Sequence, residues 1–216
     1  GSNHLRCLMN RYKLAVFAVA ALACGAAGEA RAAADLIVNG DFATPSVGSG
    51  YSLFSSIPGW TVNQDAIEVD YTPILGMACY TANCQSAEVD ANTFDTISQT
   101  VNGLHPGSQY TLSWGYGDRP GSGPQELDVS MGGSPVTSDF GTGTTGLWTP
   151  NSFVITATAT SEVLSFAAVD TSGIGGAPGA GNEVDSVSLV GVPEPASMVL
   201  LGSGMLGLGL SRRRHR

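Results

Sequence analysis

Basic residues are almost missing from the long middle of this 216-residue chain: of its nine lysines and arginines, only Arg119 lies between Asp35 and Val192. Sixteen of the eighteen acids fall in the same stretch, leaving it fifteen net negative charges. A phosphate backbone would be repelled by such a surface, which argues against a nucleic-acid partner. Divalent cations, or a need for solubility in a crowded external medium, fit it better. Histidine is scarce too. His105, in the turn sequence NGLHPG, has no neighbouring signature of a nucleophile, so a serine triad has no support. No capped amphipathic helix of useful length occurs here. The uncharged segment 196–210 is fifteen residues long, short of the roughly 20 that a membrane-spanning helix needs.

The two ends carry what the middle lacks. Arg11 and Lys13 precede an apolar run from Leu14 to Cys24, and Ala30-Arg31-Ala32 follows. A charged start, a short hydrophobic middle and a small-residue cleavage site are the layout of a secretory signal peptide, with Met9 at or near its start and cleavage after Ala32. The alternative is a lipoprotein box in LACG, with Cys24 lipidated, although Ala21 stands where such boxes prefer leucine. In an exported chain Cys79 and Cys84, in ACYTANC, read as a disulfide stapling a small loop, the alternative being two free buried thiols. A zinc site would need more soft ligands than this stretch holds.

At the other end Val192-Pro193-Glu194-Pro195 leads into the glycine-containing apolar segment, which is followed by Arg212, Arg213, Arg214, His215 and Arg216. A marginal span with a cationic tail describes a temporary anchor, its arginines held on the cytoplasmic side. Residues 192–216 resemble the PEP-CTERM sorting signal of Gram-negative bacteria, with all three parts in order. The resemblance implies recognition of Pro193, Glu194 and Pro195 by an exosortase after export through the Sec machinery. The hydrophobic helix would insert transiently in the inner membrane and then be removed, leaving the domain at the cell surface or in the extracellular matrix. An ordinary uncleaved anchor is the alternative, the proline triplet then being only a stiff linker.

Residues 33–191 form the domain between these addresses. LIVNGDF, AIEVD, SAEVD, TISQTV, QYTLSWGY, ELDVSM, SFVITATAT, EVLSFAAV and EVDSVSLV each mix β-branched or aromatic residues with polar ones at a period near two. Turn signals such as NG, PG and GG separate them. About nine strands are predicted, in an all-β, antiparallel two-sheet β-sandwich. The order LIVNGDFATP, SIPGWTV, TISQTV, GSQYTLSWGY, LWTPNSFVITATATSEVLSF and NEVDSVSLV is similar to galactose-binding-like jelly rolls, more narrowly to surface domains that open with an NGxFE pattern and PGW.

Sugar rings stack on aromatic side chains, so the aromatics are candidate glycan contacts. Trp60, Trp114 and Trp148 sit in contexts that suit core packing. Tyr51 and Tyr80, in expected loops, are the better candidates, with Arg119 to grip a hydroxyl, carboxylate or sulfate or to pair with a nearby acid such as Asp118. The jelly-roll resemblance implies a structural calcium ion between first and last strands, for which Asn39, Asp41 and Asp185 occupy the matching ends. Ala43 replaces the glutamate of the related pattern, and Asn39-Gly40 reads equally as a turn and Asp185 as a strand-end cap. The pairs Glu68 with Asp70 and Glu88 with Asp90 alternate with Val69 and Val89, as on exposed strand faces; with sixteen acids such pairs arise by composition and do not signal a glycosidase. The expected protein is a non-enzymatic surface module associating with extracellular polysaccharide. The alternatives are a matrix or adhesion protein without a glycan pocket and, behind it, a secreted glycan hydrolase.

Overall fold

A computed structural model describes residues 34–193; the leader 1–32, Glu194, Pro195, segment 196–210 and the arginine tail lie outside the described residues. Six of the predicted runs become long strands: β6 (Thr96–Asn102), β7 (Gln109–Gly117), β8 (Gln125–Met131), β10 (Trp148–Thr156), β11 (Ser161–Ala168) and β12 (Glu183–Gly191). AIEVD and SAEVD supply β4 (Ile67–Tyr71) and β5 (Gln85–Glu88). Four further strands complete the fold: β1 (Tyr51–Phe54), β2 (Ser56–Ile57), β3 (Trp60–Val62) and β9 (Ser134–Gly141). They form two antiparallel six-stranded sheets, ordered β1-β4-β5-β12-β7-β10 and β2-β3-β6-β11-β8-β9. No helix among the described residues is long and apolar enough to cross a membrane.

LIVNGDF, predicted as a strand, forms none: the residue before it, Asp35, makes an isolated bridge to Val190, and Leu36 N–H donates to the Leu189 carbonyl. The chain then turns away because Asn39 and Phe42 adopt left-handed backbone angles, φ 54° and 50°. The turn has a purpose in the last strand. β12 is interrupted between Asp185 and Ser188, and the Val187 N–H there donates to the Gly40 carbonyl at 2.8 Å. A Cβ at Gly40 would lie on the Val187 carbonyl oxygen, so only glycine lets the first segment seal the break.

The period-two pattern places one face of each sheet inward. Val69, Ala87, Leu112, Trp114, Val184 and Leu189 meet Ile97, Val101, Leu127, Val129, Leu164 and Phe166, all within 1% of full burial. Each such valine, leucine, isoleucine or phenylalanine contributes roughly 1.5–3 kcal/mol by leaving water. Trp114 spans the interior with its ring edge-on to Phe166, centroids 5.7 Å apart, and Phe166 meets Trp60 at 6.0 Å. Trp60 and Trp114 are therefore core residues. The Trp114 indole N–H donates to Asp139 at 2.8 Å, which meets its polar need inside the sandwich.

Candidate functional site

The outward face of the first sheet departs from what its alternating sequence predicts. Glu-Val-Asp occurs on three strands: 68–70 on β4, 88–90 at the end of β5 and 183–185 on β12. These strands are neighbours in the sheet, and all three valines point into the core with no exposure. The acids consequently gather on the other side. Glu68 is opposite Glu88, and Glu183 is opposite Glu88 from the far side, so three glutamates stand in one row across three strands.

That face is covered rather than wet. Asp70, Glu88, Asp90 and Glu183 all have zero exposure, and only Glu68 is half-buried. The exposed strand face expected for both acidic pairs is thus corrected: the 3-10 turn Thr72–Leu75 and the loop through Pro178 and Gly179 flank the acids, and Arg119 reaches over them. Alternation reports that two faces differ; it does not report what packs over the second one.

The electrostatic consequence is large. Burial pushes the Asp70 and Asp90 carboxyls up to about 7 and that of Glu88 to about 8. Neighbouring carboxylates reinforce the rise at Asp70 and Glu88, while Arg119 opposes it. Glu183 is raised well above the carboxylate range, first by burial and then by Asp70 and Glu88, and Glu68 is also raised by burial. Arg119 forms an ion pair with Glu88 Oε2, and the Ser86 hydroxyl donates to Glu183 Oε2 at 2.6 Å. Both oxygens of Asp70, both of Asp90, and Oε1 of Glu88 and of Glu183 have no hydrogen-bond partner. One oxygen each from Glu68, Asp70 and Glu88 lie within 4.8 Å of one another. Oxygen ligands in this number and charge suit a hard cation.

Above the acids is an open cleft of about 530 Å3, lined by Tyr51, Leu53, Glu68, Asp70, Asn92 and Arg119 among others. Tyr51 lies opposite Asp70 in the register and keeps 58% of its surface exposed. The structure thus brings Tyr51 and Arg119 into one cleft, although 68 positions separate them. Arg119 pairs with Glu88 and not with Asp118, whose carboxylate accepts from Gly143 and Thr145. Tyr80 stands apart, half-buried, its ring 5.0 Å from that of Trp148. Its ring packs against Gly115, where a Cβ would come within 2.5 Å of it. Cys79 and Cys84 are disulfide-bonded and close the loop that holds it.

Asn39, Asp41 and Asp185 lie around the point where Gly40 seals β12, and each side chain makes at least one hydrogen bond. The Asn39 side chain accepts from Thr44 N–H and donates to the Thr44 and Pro58 carbonyls. Asp41 Oδ1 accepts from Ala43 N–H at 3.3 Å. Asp185 accepts from the Thr81 hydroxyl and Ser186 N–H. Taken singly, the acidic pairs do not reveal the carboxylate row. The threefold Glu-Val-Asp repeat was the available signal, and its meaning depends on β4, β5 and β12 being adjacent.

Residues 191–214 match the PEP-CTERM protein-sorting motif. No curated protein matches the chain. Among solved structures, it is similar to a family 35 carbohydrate binding module from Clostridium thermocellum at 15% identity, covering 64% of this chain and 90% of that one, with TM-score 0.39. It is also similar to the CBM22-1 xylan-binding domain of Paenibacillus barcinonensis Xyn10C at 16% identity, covering 77% and 99%, with TM-score 0.47. A cyclase from Fischerella sp. TAU shares 17% identity over 76% and 100% of the two chains, with TM-score 0.49. All three scores lie below 0.5, and the functional reading rests on this chain's own residues.

Proposed function

We propose that this is an exported cell-surface protein whose sandwich associates with extracellular polysaccharide through the Tyr51–Arg119 cleft and catalyses no reaction. The observation that carries the reading is the cleft itself, in which an exposed phenol ring, a guanidinium and acceptor-rich carboxylates converge. A pyranose face stacks on Tyr51, a hydroxyl donates to the half-exposed Glu68, and Arg119 donates in return. A floor with more acids than bases disfavours uronate-rich chains and favours neutral ones. In this reading the sorting motif delivers the domain: an exosortase acts at Pro193-Glu194-Pro195 after Sec export, while the apolar segment 196–210 sits transiently in the inner membrane.

Binding of the full chain to a panel of neutral and acidic polysaccharides tests this. Saturable binding to a narrow neutral set is expected. Tyr51→Ala should weaken it about 3- to 10-fold, the equivalent of roughly 0.5–1.5 kcal/mol of stacking. The fifteen net negative charges of the domain favour a second reading, a matrix or adhesion protein acting through bulk charge. Adhesion that persists without selective glycan binding, and is unchanged by Tyr51→Ala, would establish it. Product release from a glycan, abolished by changing one carboxylate, would make the protein a hydrolase.

A further inference from the structure

We infer that Glu68, Asp70 and Glu88 form a binding site for a hard divalent cation of the size of calcium, on the outward face of the first sheet. Two oxygens bound to one calcium ion at 2.3–2.6 Å can be at most about 5 Å apart. The three carboxylates meet that limit, with no pair of their ligating oxygens beyond 4.8 Å. The residues are not simply a patch of surface acid. Asp70 has zero exposure and neither of its oxygens receives a hydrogen bond, and Glu88 Oε1 is equally without a donor. Glu68 and Asp70 cannot satisfy one another when ionised, since both are then acceptors only.

The sheet register sharpens the problem that a cation would solve. Glutamates directly opposite across strands hold their Cβ atoms about 5 Å apart, and like charges so placed destabilise a sheet. Here Glu88 has Glu68 on one side and Glu183 on the other. Among the described residues the one guanidinium, that of Arg119, pairs with Glu88 Oε2, and Oε1 is left without a donor. Glu68 lines the open cleft, which gives an ion a path from solvent and room for water to complete its coordination. An all-oxygen donor set, with the nearby cysteines joined in a disulfide, points to a hard ion and away from zinc or copper. The Asn39, Asp41 and Asp185 group differs here, since each of its side chains already has hydrogen-bond partners.

The test is calorimetric titration of CaCl2 into chelator-treated full chain, with no glycan present, paired with thermal midpoints in calcium and in chelator. One saturable site with a Kd below roughly 1 mM is expected, as in extracellular calcium modules. Asp70→Asn and Glu68→Gln should each raise that Kd at least about tenfold and remove the calcium-dependent rise in midpoint. The Asp70 change takes away a buried unpartnered charge, so that variant folds, as near-ultraviolet circular dichroism would verify. Asp128→Asn, on the second sheet, should change nothing. No saturable heat and no midpoint shift at roughly 10 mM CaCl2 would overturn the inference. So would affinity that is unchanged in Asp70→Asn and Glu68→Gln, or that is lost in Asp41→Asn instead. Because no glycan takes part, failure here leaves the polysaccharide reading as it stands, and failure of glycan binding leaves this site as it stands.

Discussion

Replacing Asp185 with asparagine should stabilise the protein in alkaline solution and leave it almost unchanged in acid. Asp185 has zero exposure on β12, and burial, with a smaller contribution from Asp41, pushes its carboxyl from an ordinary 3.8 up to about 7. The Thr81 hydroxyl lies 2.8 Å from Asp185 Oδ2 and 2.6 Å from Asn83 Oδ1. It has one hydrogen for two acceptors, so an ionised Asp185 leaves one of them short. An asparagine amide would donate to Thr81, freeing its hydrogen for Asn83, while the asparagine oxygen would retain Ser186 N–H.

A carboxyl raised in the folded state binds its proton more tightly there than in the unfolded chain. The resulting stability is fully present below about pH 3.8 and is lost as pH rises to 7. At pH 8 the ionised side chain therefore costs the fold about 4 kcal/mol, which asparagine avoids; at pH 4 the difference falls below about 1 kcal/mol. Urea unfolding of wild type and Asp185→Asn in chelator, with the disulfide intact, measures both. An equal difference at the two pH values, or a less stable variant at pH 8, would refute the reasoning. Repeating the pair in calcium also tests the ligand role expected of Asp185, since a bound ion would reverse the order.

Three further outcomes follow from the same face. Arg119→Met should destabilise by about 3 kcal/mol at pH 9, where Glu88 is ionised and fully buried, and by much less at pH 5, where Glu88 holds its proton; urea midpoints at both pH values check this. Gly115→Ala must lift the Tyr80 ring, so a loss of roughly 1–3 kcal/mol and a changed Trp148 fluorescence are expected. Replacing Cys79 and Cys84 together by serine opens a loop with a sequence separation of 5, worth about 2 kcal/mol of chain entropy, measurable as a lower thermal midpoint.

The long strands were readable because β6, β7, β8, β11 and β12 show their alternation over seven to nine residues. In β6, for example, Ile97, Gln99 and Val101 all face inward. YSLF, SI and WTV are too short to display a period, and their pairing comes from neighbours far along the chain. β9 was hidden for another reason: it is an edge strand, half of its residues exposed, and reads as polar loop. LIVNGDF has strand composition but must turn at Asn39 to reach the break in β12. Tyr51 and Arg119 were identifiable as residue types. That they share a cleft follows from the register of β1 on β4 and from the chain leaving β7, neither of which local sequence encodes. The buried acids were hardest, since Glu-Val-Asp looks the same whether water or a second layer of chain lies over its carboxylates.

The position of β12 also bears on how this domain withstands a pull. β12 is an inner strand, laddered to β5 on one side and to β7 along Tyr110–Gly117 on the other, and the sorting motif begins at its last residue. A tether at that end draws along the strand, at right angles to its ladder hydrogen bonds. The bonds on both flanks are then loaded together in shear, whereas an edge strand peeled sideways would release them one at a time. With the chain held at that end and a ligand held in the cleft, tension would converge on the strand that also carries Glu183 and Asp185.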